Sequence, residues 1–311
     1  MEQKPEIVVI GAAIIDVLAR PVTPEIFERG SLPMESIRMS VGGDAANEAT
    51  VLSHLGKKVQ LETIVGNDRA GDFLRGFFAE KGVIIPERAV QEDIPTGINI
   101  VMIDQEAERR FLTDPKGSLR ALELAHIGMP FPESAKVLCL ASIFVSPKLK
   151  TEEMKAVFGQ AKKQGMIVCA DLTRRKNQET LEEMKEVFAM VDYLFPNDDE
   201  AMLLSGTETI EEAAEAFFKA GTPHVILKCG RRGCYIRSEE FTGYVVPETV
   251  EIPVDTTGAG DSFAAGFLAG LLEGRSLLDC ARLGNSCGGK AVQVVGATEW
   301  INIDGERKQK P

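Results

Sequence analysis

Six apolar runs, separated by segments with helical spacing, constrain the fold of this chain more than any other feature. The runs are nearly continuous in apolar residues, as the strands of a parallel sheet covered on both faces are. They occupy residues 6–12, 59–66, 136–142, 166–172, 193–197 and 224–230, with helix-like segments at 44–56, 68–82, 151–165, 179–191 and 210–221 between them. The alternation predicts an α/β fold with a doubly wound, mostly parallel sheet and helices on both of its faces.

Two segments interrupt this alternation and predict a second, smaller β-sheet. The first contains three prolines and the alternating stretch SIRMSVGG, and the second, TGINIVMIDQEAERRFLT, has the pattern of a hairpin with an acidic turn. We expect the two segments to form one small unit that is connected to the main domain twice. The predicted boundaries are 13–41 and 96–118 for the small β-sheet unit, and 1–12, 42–95 and 119–311 for the α/β domain.

The charge and the cysteines exclude several classes of protein. A net charge of −12 without any run rich in lysine and arginine argues against a nucleic-acid-binding protein. The sequence has no apolar stretch of membrane-spanning length and no secretory leader pattern, so we expect no contact with a membrane. The six cysteines include no CxxC pair and lie mostly in apolar runs, which predicts buried thiols in a reducing cytoplasm.

The stretch DTTGAGDSF, residues 255–263, carries the most specific chemical signal. Gly258 and Gly260 expose backbone N–H groups immediately before a helix, and free amides at a helix N-terminus attract anions. Asp261 stands at the same place, where its carboxylate would repel a bound phosphate. A purely structural role explains that arrangement poorly, whereas a general base that accepts a hydroxyl proton during phosphoryl transfer belongs there.

Four further positions admit both a functional and a structural interpretation. Gly42 and Gly43 allow a ligand to approach the backbone, and Asn47 in the following helix offers a donor and an acceptor to a hydroxylated ligand. The alternative is a glycine turn that leads into a helix with an incidental asparagine. Asp16 follows the first predicted strand, where it either accepts hydrogen bonds from sugar hydroxyls or caps the next turn.

The stretch PNDDEA places Asn197 and Glu200 just past a strand, three residues apart. On the first turn of a helix this spacing puts both side chains on one face, where they suit a hydrated Mg²⁺ beside phosphates. The alternative is ordinary N-capping by Asn197 with an acid in the first turn.

Together these motifs resemble those of the ribokinase-like (PfkB) carbohydrate kinases. GGDAANEATVLSHLG resembles the first signature of that family, DTTGAGDSFAAGF the second, PNDDEA its N-x-x-E motif, and LKCGRRG its G-x-x-G segment. The resemblance extends from about residue 6 to residue 300. Within the family, the chain is most similar to an enterobacterial subgroup of uncharacterised sugar kinases.

The resemblance implies a central α/β domain with a β-sheet lid, and the small β-sheet unit is then that lid. It implies transfer of the γ-phosphoryl group of ATP to a hydroxymethyl group of a monosaccharide or sugar acid. Asp261 matches the catalytic base of the family. The amides of Gly258, Ala259 and Gly260 match the anion hole that stabilises charge on the transferred group.

The resemblance also implies four sets of ligand contacts. The sugar contacts are Asp16, Gly42, Gly43 and Asn47, and the Mg²⁺–phosphate contacts are Asn197 and Glu200. The nucleotide contacts are Lys228, Gly230, Gly233 and Asn285. A monovalent cation such as K⁺ would take Asp255, Thr257 and backbone oxygens near Val292, Val295 and Ala297.

One departure from the family leaves the substrate open. Where relatives carry D-x-N-x-R, this chain has DLTRR, with Thr173 in the asparagine position. Arg174 is in register to contact a phosphate or an acidic substrate. The lid also suggests a homodimer in which two lids pair.

Two other functions remain as alternatives. A nucleoside or pseudouridine kinase of the same fold needs an apolar or aromatic wall for the base, and 6% aromatic residues weigh against it. A sugar-binding sensor without catalysis is disfavoured by the intact DTTGAGDSF stretch.

Overall fold

The computed structural model describes residues 4–106, 108–247 and 253–303. The strands are β1 (Ile7–Ile10), β2 (Ile14–Arg20), β3 (Ser36–Gly42), β4 (Val59–Glu62), β5 (Val65–Gly66), β6 (Val90–Gln91), β7 (Ile98–Ile103), β8 (Arg109–Thr113), β9 (Val137–Ile143), β10 (Ile167–Leu172), β11 (Tyr193–Phe195), β12 (His224–Lys228), β13 (Cys234–Arg237) and β14 (Thr242–Val245). The helices are α1 (Asp44–His54), α2 (Arg69–Lys81), α3 (Thr151–Lys163), α4 (Lys185–Phe188), α5 (Asp198–Ser205), α6 (Ile210–Lys219), α7 (Ala259–Leu272) and α8 (Leu277–Ala291). Parts of the predicted α/β domain, at 1–3, 248–252 and 304–311, and Ala107 in the predicted hairpin turn lie outside the described residues.

The main sheet has eight strands in the order β14-β13-β12-β11-β10-β9-β1-β4. Within this order, the six neighbouring strands β12, β11, β10, β9, β1 and β4 pair in parallel. At one edge, β13 and β14 add an antiparallel hairpin that the apolar runs did not predict. The predicted fold class is confirmed: the sheet is mixed but mostly parallel.

Alternate side chains of the strands point to opposite layers of the core. Ile7 and Val9 of β1 lie in one cluster with residues of α1, α2, α7 and α8. Val8 and Ile10 lie in the other, with residues of α3, α4, α5 and α6. Each such side chain contributes about 1.5–3 kcal/mol when it is fully buried, so both sheet faces need a helical layer. All six cysteines are buried in this core.

A second sheet, which we call the lid sheet, has four strands in the order β3-β2-β7-β8. Its strands fall within the two segments predicted for the small unit, except that β3 extends to Gly42. The division of the chain into two domains stays a prediction.

Two neighbouring cross-strand rows on opposite faces of the lid sheet differ in polarity. One face carries the cross-strand row Ser40–Asp16–Asn99–Thr113. The other carries the row Met39–Val17–Ile100–Leu112, and Met39, Ile100 and Leu112 are each about half exposed, at 56%, 44% and 52%. The polar row faces the site described below, and the apolar row faces away from it.

Two predicted segments are shorter in the structure than in the sequence interpretation. The run 59–66 divides into β4 and the two-residue β5, which pairs with β6 instead of the main sheet. The predicted helix 179–191 is reduced to α4, whose N-cap residue Met184 makes no side-chain hydrogen bond to the helix. Among the helices of the described residues, none is both long and apolar enough to cross a membrane.

Candidate active site

The carboxyl ends of four neighbouring parallel strands meet at one edge of the main sheet. Ser142 lies at the end of β9, Asp171 at the end of β10, Asn197 just after β11, and Lys228 at the end of β12. This edge is where open α/β sheets bind ligands. A cleft of about 1170 Å³ lies there, larger than the roughly 300–1,000 Å³ typical of a single small ligand.

Many of the predicted site residues line the cleft. They are Asn197, Glu200, Lys228, Gly230, Gly233, Ala259, Gly260, Asp261, Asn285 and Val292. Asp44, Ser142 and Asp171 line it as well and were not predicted.

The N-terminus of α7 projects into this cleft. Gly258 caps the helix with a φ of 69°, and a Cβ there would lie 2.6 Å from Cα of Ala297, so both conformation and space require glycine. Asp261 follows in the first turn, and its Oδ2 accepts a 2.7 Å hydrogen bond from Nδ2 of Asn47. This bond joins the two signature motifs across 214 residues. The N–H of Ala259 donates to the carbonyl of Thr256 at 3.3 Å.

The ammonium of Lys228 lies between Asp171 and the first turn of α7. Nζ donates to Oδ2 of Asp171 at 2.5 Å, and a Cβ at Gly260 would lie 3.2 Å from the same Nζ. Burial works to lower the pKa of Lys228, but the carboxylates of Asp171 and Glu200 outweigh burial and raise it. The lysine therefore keeps its positive charge beside the predicted anion-binding amides.

Several carboxyl groups around this lysine have raised pKa values. Burial and the charge of Asp44 raise the pKa of Asp261 well above its ordinary range, although Asn47 and Lys228 oppose the rise. Burial raises the pKa of Asp171 to about 6 despite its ion pair. A carboxylate whose pKa is raised in this way is a stronger base when it is ionised.

Asn197 and Glu200 form a reciprocal capping box at the start of α5. The N–H of Glu200 donates to Oδ1 of Asn197 at 2.8 Å, and the N–H of Asn197 donates to Oε2 of Glu200 at 3.0 Å. Burial raises the pKa of Glu200 to about 7. The capping interpretation is therefore correct, and both side chains also face the cleft.

The lid sheet contributes a second polar cluster beside the cleft. Nδ2 of Asn99 donates to Oδ1 of Asp16 at 3.1 Å. A Cβ at Gly42 would lie 2.7 Å from Cγ of Asp16, so glycine makes room for this carboxylate. Burial raises the pKa of Asp16, with Asn99 and the charge of Arg109 opposing it. Gly43, next to Gly42, is the N-cap residue of α1.

Asp255 makes a dense set of contacts in the loop before α7. Its Oδ1 accepts from the N–H and the hydroxyl of Thr257, at 3.0 and 2.8 Å, and its Oδ2 accepts from the N–H of Gly296 at 2.9 Å. Nη2 of Arg109, at the start of β8, lies 2.7 Å from both oxygens. Although burial works to raise the pKa of Asp255, these hydrogen bonds and the guanidinium charge lower it.

Four other predicted residues make few polar contacts in or near the cleft. Nδ2 of Asn285 donates to the carbonyl of Val245 at 2.8 Å. Val295 is partly exposed, and Ala297 packs against Gly258. Arg174 is exposed and is absent from the described lining of the cleft.

Sequence reasoning missed Asp44, Asn99, Arg109, Ser142 and Asp171. Asp171 ends an apolar strand in DLTRR, a position that could have suggested a ligand-facing acid. Ser142 adopts a φ of 58°, rare for a residue other than glycine, and its hydroxyl donates to Asp44. For Asn99 and Arg109 the sequence offers no local signal, because their partners Asp16 and Asp255 are distant in sequence and come close only in the folded chain.

The architecture is that of the ribokinase-like kinases. A four-stranded sheet lies beside the carboxyl edge of a doubly wound sheet, and an acid in the first turn of a helix faces the cleft. The ribokinase of Arabidopsis thaliana, solved with ribose and ATP, has this fold: its TM-score is 0.76 at 23% identity, over 99% of this chain and 100% of that one.

Residues 4–303 match the model of the pfkB family carbohydrate kinases, and the chain belongs to that family. It is 29% identical over 294 residues to the 2-dehydro-3-deoxygluconokinase of Haemophilus influenzae, covering 88% of this chain and 92% of that protein. It is 30% identical over 283 residues to the cytidine kinase of Thermococcus kodakarensis, covering 90% and 93%. The protein is thus an ATP-dependent kinase of the pfkB carbohydrate kinase family, as the motifs predicted; the enterobacterial subgroup stays a prediction.

The ion pair of Lys228 generates a stability prediction. With Lys228→Met, Asp171 loses its cation, so its pKa rises further above that of the unfolded chain. In this variant Asp171 is neutral at pH 5 but charged and unpaired at pH 8. A carboxyl group with a raised pKa destabilises the folded state as pH increases. We expect the free energy of unfolding to fall by about 3 kcal/mol at pH 8 and by clearly less at pH 5, measured by urea denaturation.

Lys162→Met is the matched control, because Lys162 also pairs with an aspartate at 2.5 Å but lies at the surface. Its loss should stay below about 1 kcal/mol at both pH values. Equal losses in the two variants, or a Lys228→Met loss that does not depend on pH, would contradict the assignment.

Proposed function

We propose that this protein transfers the γ-phosphoryl group of ATP to a hydroxymethyl group of a monosaccharide or sugar acid, with Asp261 as the general base. One observation carries the proposal: the 2.7 Å hydrogen bond from Asn47 to Asp261 at the N-terminus of α7. It fixes a carboxylate with a raised pKa beside backbone amides that attract the anionic group.

In the proposed reaction, the acceptor hydroxyl gives its proton to Asp261 while its oxygen attacks the γ-phosphorus. The bond from that phosphorus to the oxygen bridging to the β-phosphate breaks, and ADP leaves. The amides of Gly258, Ala259 and Gly260, with the positive end of α7, stabilise the charge on the transferred group. Asn47 holds the base in position, and Lys228 contributes a fixed positive charge nearby.

The nucleotide is proposed to lie along Gly230, Gly233 and Asn285, with its phosphates toward Lys228. Asn197 and Glu200 suit Mg²⁺ in the chemistry of their oxygen donors, and the pKa of Glu200 is raised chiefly by burial, with the charge of Asp171 adding to the rise. Since both residues are engaged in the capping box, they would hold the ion through its water shell. Mg²⁺ bound there would neutralise phosphate charge.

The acceptor is proposed to lie between Asp261 and the lid sheet. Asp16 and Asn99 offer a hydrogen-bonded acceptor and donor pair to its hydroxyls, and Gly42 and Gly43 leave room for close contact. A sugar acid is favoured by the similarity to a 2-dehydro-3-deoxygluconokinase. Arg174 would reach such a carboxylate only if its exposed side chain turns into the cleft. We place the reaction in the cytoplasm.

A nucleoside acceptor is the second candidate, favoured by the 30% identity to a cytidine kinase. The same base and anion hole would serve a ribose hydroxymethyl group. A non-catalytic sugar sensor is the third, and the arrangement around Asp261 argues against it.

The deciding experiment is a coupled ADP-release assay with ATP over a panel of sugars, sugar acids and nucleosides. We expect turnover above background with a sugar or sugar acid, and none with nucleosides. Turnover confined to nucleosides would select the second candidate. A rise in thermal stability with a sugar, but no turnover with any compound, would select the sensor.

Asp261→Asn should abolish the proton transfer without disturbing the fold, because the amide is nearly isosteric with the carboxylate. We expect kcat to fall by about 10³-fold or more, while the Kd for ATP, measured by calorimetry, changes little. Asp72→Asn, an exposed aspartate on α2, is the control and should keep full activity. Near-wild-type turnover in Asp261→Asn would remove this residue as the base.

The apolar row of the lid sheet is proposed to pair with that of a second copy. Met39, Ile100 and Leu112 lie on one face and are half exposed, which is unusual for a contiguous apolar group on a monomer. We expect light scattering to give the mass of two chains for the wild type and of one chain for Met39→Lys combined with Ile100→Lys. Phe73→Lys, an exposed apolar residue on α2, should leave the mass unchanged. A one-chain mass for the wild type would reject the dimer.

A further inference from the structure

We infer that the guanidinium of Arg109, and not a monovalent cation, neutralises Asp255 in this protein. We further infer that this ion pair couples the lid sheet to the loop that carries the anion-binding glycines. The ion pair stands on geometry alone, whereas its effect on turnover rests on the proposed function. Arg109 is in this view a positioning residue, which acts on the reaction through the loop before α7.

The carboxylate of Asp255 has its hydrogen-bonding capacity filled by the protein itself. Each oxygen lies 2.7 Å from Nη2 of Arg109. Oδ1 accepts two further bonds from Thr257, and Oδ2 accepts one from the N–H of Gly296. The side chains of Asp255 and Arg109 are only 9% and 22% exposed, so water screens this pair weakly.

These residues do not fit the K⁺ site that the resemblance to the family implies. A K⁺ ion on Asp255 would need a free carboxylate lone pair and would lie within a few ångströms of a fixed guanidinium, which would repel it. The carbonyl of Val292, another implied ligand, accepts the N–H of Val254 at 2.7 Å. The positive charge that an ion would bring is already supplied by the chain.

The ion pair connects two separate parts of the protein. Arg109 belongs to β8 of the lid sheet, whereas Asp255 stands three positions before Gly258 on the main domain. The Asp255 carboxylate also ties Thr257 to Gly296, so it shapes the loop that presents Gly258 and Gly260. The loop therefore has its full set of contacts only when the lid sheet is in place.

The same guanidinium acts on the acceptor side of the cleft. Arg109 pairs with Ile103 across β7 and β8, on the face of the lid sheet that also carries Asp16 and Asn99. Its charge opposes the rise in the pKa of Asp16 caused by burial. Arg109 thus links the predicted sugar contact to the predicted anion hole.

The test compares K⁺, Na⁺ and tetramethylammonium chlorides at equal ionic strength. We expect the wild-type rate, with whichever acceptor is active, to vary by less than about two-fold, because Arg109 already supplies the charge. We expect Arg109→Ala to lose about ten-fold or more in kcat in tetramethylammonium and to regain part of it with K⁺ or millimolar guanidinium. Arg109→Lys should fall between the two, since it keeps the positive charge but replaces the planar guanidinium with a compact ammonium of different reach and geometry.

Arg110→Ala is the matched control. Arg110 is the next residue in the same strand and pairs at the surface with Asp104, so its loss should change neither the rate nor the response to cations. K⁺ activation of the wild type by several-fold, with the same activation in Arg109→Ala, would overturn the inference. Full activity of Arg109→Ala in tetramethylammonium would overturn it as well.

A second readout needs neither turnover nor an acceptor. The thermal midpoint of the wild type should be the same in K⁺ and tetramethylammonium, whereas Arg109→Ala should be stabilised selectively by K⁺. If Arg109→Ala does not fold, the wild type and Arg109→Lys carry the test, and a K⁺-specific rise of the wild-type midpoint contradicts the inference. A protein inactive on every acceptor, with midpoints behaving as expected, would reject the proposed function and leave the ion pair supported.

Discussion

The ammonium of Lys228 stands among carboxyl groups that would otherwise repel one another at the carboxyl edge of the main sheet. It pairs with Asp171, and its charge opposes the rise in pKa of Glu200 and Asp261. Removing one partner of such a buried pair leaves an uncompensated charge, which costs far more than the pair contributes. The ends of β10 and β12, the start of α5 and the first turn of α7 can therefore approach one another only because this cation lies between them.

The acidic groups around Lys228 outnumber its single positive charge. Glu48 lies behind the site with no exposure, and its Oε1 makes no hydrogen bond within the described residues. Burial and the charges of Asp171 and Asp261 raise the pKa of Glu48 well above its usual range. Buried carboxyl groups with raised pKa values destabilise the folded state when they are ionised, as expected of a site selected for function at the expense of stability.

The sequence predicted those parts of the protein that depend on local pattern, and it missed those that depend on topology. Apolar runs located the parallel strands because two-sided burial leaves a continuous signal. The four-residue strands β13 and β14, which form the last hairpin of the sheet, have only a partial apolar pattern. The glycines and Asp261 were visible because a helix N-terminus has local chemistry. Asn99 and Arg109 meet partners 83 and 146 residues away, and no local pattern encodes those pairings.

The lid sheet therefore has a proposed role on both sides of the reaction. The face with the polar row carries a carboxylate, Asp16, and a guanidinium, Arg109. The carboxylate faces the predicted acceptor, and the guanidinium is bound to the loop that shapes the predicted anion hole. Since both groups belong to one rigid hydrogen-bonded sheet, a displacement of the lid would withdraw the acceptor contact and the loop contact together. In the proposed reaction, enclosure of the acceptor and ordering of the anion hole would then be a single structural event, with the Arg109–Asp255 ion pair as the physical connection between them.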